Sequence, residues 1–203
     1  MSCSARPPRD HELIQIVDAA LADTKKKSGT WLKCGPGCNQ CCIGVFAINQ
    51  LDAVRLRQGM IDLAARSPQT AAAVRERAQQ YVQRVAKDFP GDPETGLLYE
   101  DEESQKRFED FANHEPCPAL DPATGFCEVY EFRPMMCRSF GPPLREGDDL
   151  GVCELCYDGA TEAQIEACEM VPDPKNLEPE LIKEAEKNTG HTGETIVAYC
   201  LLP

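Results

Sequence analysis

Four cysteines fall within nine residues, Cys34-Gly35-Pro36-Gly37-Cys38-Asn39-Gln40-Cys41-Cys42, and nothing else in the chain narrows its chemistry so sharply. Thiolates are soft, basic ligands that suit zinc and iron–sulfur clusters, whereas calcium and magnesium prefer oxygen. A gap of two or three residues lets a loop fold back so that both sulfurs reach one metal. Gly35, Pro36 and Gly37 supply the tight turn. Cys41 and Cys42 are adjacent, and neighbouring side chains tend to diverge, which points to two sites or to one polynuclear cluster.

A second group follows at longer intervals: Cys117, Cys127, Cys137, then Cys153-Glu154-Leu155-Cys156. The nine-residue gaps between Cys117, Cys127 and Cys137 exceed one knuckle, so these cysteines are expected on successive loops converging on the first group, whereas Cys153 and Cys156 form a C-x2-C knuckle. Arg133 and Arg138 stand beside them and would offset thiolate charge. The candidate ligands are therefore Cys34, Cys38, Cys41, Cys42, Cys117, Cys127, Cys137, Cys153 and Cys156. His114, three residues before Cys117, is a weaker candidate for a mixed site. His11 and His191 read as surface residues. Cys3, Cys168 and Cys200 read as ordinary thiols, Cys168 as a small buried hydrophobe in a helix. A run with a distant fourth cysteine favours an iron–sulfur cluster, while paired knuckles favour zinc. The pattern has both features and leans towards iron and sulfide.

Redox setting matters for twelve cysteines in 203 residues. The segment from Met1 to Asp10 has no apolar core of a secretory signal, and no run long enough to span a membrane occurs. The expected location is cytoplasmic, where cysteine clusters bind metal more often than they form disulfides. The formal charge of −13 argues against nucleic acid and anionic membranes as partners. What remains is a metal ion or cluster, with a protein substrate or partner still open.

Periodicity assigns most of the remainder to helix, giving a mainly α fold with short β segments, a small helical domain whose cysteine-rich loops are ordered by metal. A single domain is expected over 1–203. Its cysteine core covers about 34–157, preceded by a helix over 10–27 and followed by a helical and strand segment over 158–203. Asn49 reads as the cap of a helix to about Arg66. Ser67-Pro68 starts another that runs to about Asp88. A charged helix covers Asp101 to Phe111, with Glu100 to Glu103 as its solvated start. Thr161 and Gln164 form a capping-box pattern. A further helix lies near Pro179 to Asn188, and Thr195 to Leu202 is β-prone. No repeats are evident. The stretch from Pro116 to Tyr157 lacks periodicity, and metal ligation is what would order it.

Taken together, Cys34-x3-Cys38-x2-Cys41-Cys42, Cys117-Pro118-x-Leu120, Cys127-x-Val129-Tyr130 and Arg133-Pro134-x-x-Cys137-Arg138 resemble the CxxCxxCC or YkgJ-type cysteine-cluster family. The resemblance covers about 34–157 and implies a zinc- or iron-chelating domain with eight recurring cysteines. The first gap here is three residues where the family has two, and the eighth position falls on Cys153 or Cys156. Flagellin lysine methylases carry a related cysteine domain, so the resemblance also implies a possible S-adenosylmethionine-dependent protein lysine methylase bearing an iron–sulfur cluster. The Cys34, Cys38, Cys41 spacing matches radical S-adenosylmethionine enzymes too. A helix precedes the motif, however, and the βα alternation of those enzymes is missing.

Overall fold

A computed structural model of the chain describes residues 6–35 and 37–203, with the side chain of Glu146 left aside. Cys3 and Pro36, both discussed above, lie outside the described residues. Among the described residues the helices are α1 (Asp10–Ser28), α2 (Gln50–Arg66), α3 (Pro68–Val85), α4 (Glu102–Asp110), α5 (Met135–Ser139), α6 (Glu162–Ala167), α7 (Glu178–Thr189) and α8 (Val197–Cys200). Two short strands, β1 (Leu144–Glu146) and β2 (Asp149–Gly151), pair antiparallel. The mainly helical class expected from periodicity is what the chain adopts.

Contacts divide the chain into two units. Unit 1 contains Arg6, Asn39–Pro134 and Ile182–Pro203; unit 2 contains Pro7–Cys38 and Met135–Leu181. One dividing point falls between Cys38 and Asn39, inside the dense cysteine motif, and another falls within α7.

Unit 1 is built on α2, α3 and α8. Leu56, Met60 and Leu63 of α2 meet Ala71, Val74 and Ala78 of α3, with Cys200 and Leu201 closing the layer. Burying such side chains contributes about 1.5–3 kcal/mol each for the larger aliphatics. A second apolar group joins Tyr81, Val85, Phe89, Phe111, Ile196 and Ala198. The Asn49 side chain accepts from the Asp52 backbone N–H at 3.0 Å, so the expected cap of α2 is present. Asp52 also pairs with Arg55 at 2.6 Å, and Arg55 is wholly buried. A buried ion pair of this kind is costly to break from one side only. Gly59 lets Phe132 approach: a Cβ at Gly59 would stand 2.7 Å from the Phe132 Cβ.

The β-prone C-terminus is corrected by the structure. Thr195 bridges Ile48 and Leu97, but Val197–Cys200 turns into α8. Ile196 is fully buried and its neighbours pack against α2 and α3, so the tertiary surroundings override the β preference of Thr195, Ile196 and Val197.

Unit 2 packs α1 against α5. Arg138, on α5 and 2% exposed, donates to the Asp18 carboxylate of α1 at 3.1 Å. Thr161 and Gln164 form the expected capping box at the start of α6. The apolar centre of this unit is unusual in composition: Cys153, Cys156, Cys168 and Tyr157 are buried together, with Trp31, Leu32, Cys34 and Ile165 against them.

One local device occurs twice in unit 1. Asp92-Pro93-Glu94-Thr95-Gly96 and Asp121-Pro122-Ala123-Thr124-Gly125 fold into the same turn. Each Asp accepts from the backbone N–H two residues on and from the Thr hydroxyl three residues on. Each Gly stands at positive φ, +74° and +72°, and its N–H closes on the Asp carbonyl. Asp side chains favour this local bonding and Gly supplies the left-handed step.

Candidate metal centre

In unit 1 the backbone brings cysteine-bearing segments together. A 3-10 turn over Gln40–Cys42 carries Cys41 and Cys42. The Cys117 N–H donates to the Cys42 carbonyl at 2.7 Å, and Ile43 bridges Pro116, so the two cysteine-bearing segments lie side by side. Cys127 arrives through the Asp121 turn: Leu120 bridges Cys127, and the Leu120 N–H donates back to the Cys117 carbonyl at 3.0 Å. The expected divergence of Cys41 and Cys42 does not occur, because the tight 3-10 turn leaves their thiols hydrogen-bonded to each other.

Electrostatics bind this group further. The hydrogen bond with Cys42, then burial, pushes the Cys41 thiol far above its ordinary value. Burial pushes Cys117 up to about 12, and the sulfurs of Cys127 and Cys41 add to the shift. Burial likewise raises Cys127, with Cys41 contributing and the Arg133 cation opposing. Thiols that disfavour each other's ionisation are close neighbours in a site of low polarity. The shift alone is no mark of a site, since burial also lifts the lone core thiol Cys200 to about 12. Arg133 is 9% exposed, donates to the Tyr130 carbonyl at 2.9 Å and stacks 3.8 Å above the Tyr130 ring. Its charge opposes the upward shift of both Cys41 and Cys127. Arg138 faces Asp18 in unit 2.

Unit 2 gathers a different set. The Cys38 N–H closes a turn onto the Gly35 carbonyl at 3.0 Å. The Cys153–Cys156 knuckle is a tight turn, with the Cys156 N–H donating to the Cys153 carbonyl at 2.8 Å. Burial raises the Cys153 thiol, and the sulfurs of Cys156 and Cys38 add to it. Cys34 enters through Gly141, whose φ of +116° brings its backbone against the Cys34 side chain. The Cys34 thiol points to the Phe140 carbonyl at 3.9 Å, and the Cys153 N–H donates to the Gly141 carbonyl at 3.4 Å. Cys137 lies on α5 of the same unit, half-buried.

The sequence pattern places the later cysteines on successive loops converging on the first motif, in two sites or in one polynuclear cluster. By unit, Cys117 and Cys127 lie with Cys41 and Cys42, and Cys137, Cys153 and Cys156 lie with Cys34 and Cys38. Cys168 is the small buried residue expected of it. It sits 2% exposed at the end of α6, packed with Cys153 and Cys156 and hydrogen-bonded to the Tyr157 hydroxyl. His114 is exposed.

Among the described residues no three His, Cys, Asp or Glu side chains stand ready to hold a metal ion as they are. The donor chemistry nonetheless fits a thiophilic metal: clustered cysteines on tight turns, backed in unit 1 by a cation. A separate pocket of about 480 Å³ in unit 1 is lined by Leu98, Tyr99, Glu100, Phe108 and Glu194, with no cysteine in its wall. No helix among the described residues is long and apolar enough to cross a membrane.

Comparison with known proteins agrees with the cysteine pattern. No curated protein and no solved structure matches the chain. A family model described as "CxxCxxCC: Putative zinc- or iron-chelating domain" matches residues 33–169, which takes in every cysteine of both groups. With most of its length matched by that model, the chain belongs to the CxxCxxCC family of zinc- or iron-chelating cysteine domains.

Proposed function

We propose that this protein is a metal-holding module whose clustered thiolates bind zinc or an iron–sulfur cluster. The observation that carries the reading is the unit 1 group: Cys41, Cys42, Cys117 and Cys127 come from two distant stretches of chain and are joined by backbone hydrogen bonds beside a buried arginine. Four cysteines so placed need a reason. Apolar packing would be served as well by alanine or valine, and structural disulfides are not formed among them.

Within the group the chain's own residues have distinct tasks. Each thiol would lose its proton to solvent in order for its sulfur to hold a metal. Arg133 compensates part of the negative charge that four thiolates leave on a divalent ion. Gly125, in the left-handed region, lets the loop turn back so that Cys127 reaches the Cys117 segment. When bound, the metal supplies the cross-link that a loop-rich segment lacks.

Elemental analysis and visible absorption of the chain purified without oxygen or added metal test the reading. Iron with sulfide and a broad visible band identify a cluster, and stoichiometric zinc without colour identifies a zinc centre. Absence of both, with the thiols of these groups unable to take up either metal on reconstitution, sinks the proposal.

A further inference from the structure

We infer that the cysteine-free cleft of unit 1 binds an organic cation, an alkylammonium group of the kind carried by free polyamines and by lysine side chains. The inference goes beyond the metal-holding reading and stands apart from it, since no cysteine lies in the wall of this cleft.

The cleft has a built shape before any charge is considered. Thr195 bridges both Ile48 and Leu97, so three extended segments run side by side. Side chains alternate between the two faces of such segments. The residues next to these three, Ala47, Glu194 and Leu98, therefore share the other face, and all three line the cleft. Glu100, two positions beyond Leu98, lines it too. From α4 come Ser104 and Phe108, four residues apart and so on one helix face. The segment between is tied at both ends: the Gln105 amide donates to the Glu100 carbonyl at 3.0 Å, and the Tyr99 N–H to the Pro90 carbonyl at 3.1 Å. A volume of about 480 Å³ results, enough for a small ligand.

The wall decides which ligand. Ala47, Pro90, Leu98 and Phe108 suit a short alkyl chain, and the charged residues of the wall, Glu100 and Glu194, are both negative. Among the described residues neither carboxylate has an ion-pair partner. A Cβ at Gly193 would lie 3.4 Å from a Glu100 carboxylate oxygen, so Glu100 reaches the segment that carries Glu194 and the two charges act on one region. The N-terminus of α4 does not offset them, because Asp101 already accepts from the Ser104 N–H at 3.0 Å. Tyr99 and Phe108 add aromatic rings, whose faces attract cations. Solubility would be served by these glutamates anywhere on the surface, and it gives no reason for a cleft with an apolar back.

The test is a ligand-observed NMR titration of the full-length chain, as purified, with n-butylammonium, and with n-butanol as its uncharged counterpart. The amine is protonated at neutral pH, as a lysine side chain is, and so does not compete for metal. Saturable binding of n-butylammonium and none of n-butanol is expected. Glu100→Gln and Glu194→Gln are each expected to weaken binding about fivefold, the size of one solvent-facing ion pair, and the double variant to lose saturable binding. Both side chains are exposed, so helical circular dichroism is expected to stay unchanged. Spermidine and Nα-acetyl-lysine amide separate the two sources, the tighter binder identifying the free amine or the peptide side chain. Equal binding of n-butanol overturns the inference, and so does a wild-type chain that shows no saturation. Wild-type affinity in the double variant overturns it as well, because the ammonium would then be drawn by the overall charge of −13 and not by the cleft. None of these outcomes alters metal content, which is measured separately.

Discussion

At the scale of single residues, Arg133 is the side chain whose job is most specific. It is buried, fixed by its bond to the Tyr130 carbonyl and by stacking on that ring, and its charge acts on Cys41 and Cys127. Four thiolates around a divalent ion leave net negative charge in a poorly solvated place, so a fixed cation stabilises the bound state more than the protonated apo state. Arg133→Met is expected to weaken metal binding on the order of tenfold, about 1.4 kcal/mol, with little change in helical content. Arg133→Lys restores the charge but not the planar stack, and it recovers part of the loss. Competition titration with a chromogenic chelator reads both variants. Equal affinity for Arg133→Met and wild type would show that the arginine serves packing alone. Sequence proximity suggested this role for Arg133 and for Arg138 alike. The structure separates them, because Arg138 is engaged by Asp18 of α1, a partner that lies 120 positions away and that no local pattern announces.

Elements explain how the sulfurs come to be where they are. The Asp121 turn sits between Cys117 and Cys127 and sets their separation. Bonds from the Thr124 hydroxyl and the Ala123 N–H hold the Asp121 carboxyl below its ordinary value of 3.8. A group whose folded pKa is depressed stabilises the fold above its unfolded pKa and loses that contribution as pH falls through the folded one. Asp121→Ala is therefore expected to lower the melting temperature at neutral pH, and the gap to wild type is expected to narrow progressively below about pH 3.8. Melting curves over a pH series check this, and a gap independent of pH would show that the turn's backbone bonds suffice without the carboxylate. The 3-10 segment Tyr130–Phe132 gives a second case. Alanine at Gly59 gains about 1 kcal/mol of helix propensity, yet its Cβ meets the inner atoms of Phe132 at 2.7 to 3.0 Å. Overpacking of this kind costs about 1–3 kcal/mol, so Gly59→Ala is expected to destabilise the chain slightly and to shift the segment leading to Arg133. Urea unfolding measures the balance, and a stabilised variant would mean that Phe132 moves aside freely.

The elements also show what was legible beforehand. Helices with a cap and a long apolar stripe, such as α2 behind Asn49 and α6 behind Thr161 and Gln164, could be read from residues alone, because cap chemistry is local. The hairpin of β1 and β2 could not, since three-residue strands are too short to display an alternation. The paired Asp-Pro-x-Thr-Gly turns were visible as text but too brief to register as a repeat. Val197–Cys200 misled for the opposite reason: β-branched residues there report burial, and burial in a helical layer looks the same in sequence as burial in a sheet.

For the whole molecule, the two units differ in what would hold them together without metal. Unit 1 has a conventional apolar interior in which Leu56, Met60, Leu63 and Val74 pack between α2 and α3. Unit 2 has its cysteines as a large part of its interior: Cys153, Cys156 and Cys168 with Tyr157, edged by Trp31 and Cys34. Small thiols bury little apolar area, so metal ligation would carry a larger share of the folding free energy in unit 2. The density of cysteines was readable from the sequence; their division between the units was not, because spacing says nothing of which way the chain turns after Cys38. Removing metal with a strong chelator under reducing conditions is accordingly expected to act unevenly. Backbone amides of α2 and α3 should keep most of their hydrogen-exchange protection. Those around the Cys153–Cys156 turn should lose it, and so should the Cys41–Gly44 and Cys117–Cys127 loops of unit 1, which stand outside the apolar layers. Peptide-resolved exchange by mass spectrometry distinguishes this from its alternative. A uniform loss across α2, α3 and all the cysteine loops would mean that metal supports the entire chain as one cooperative structure, and that the apolar interior of unit 1 does not stand by itself.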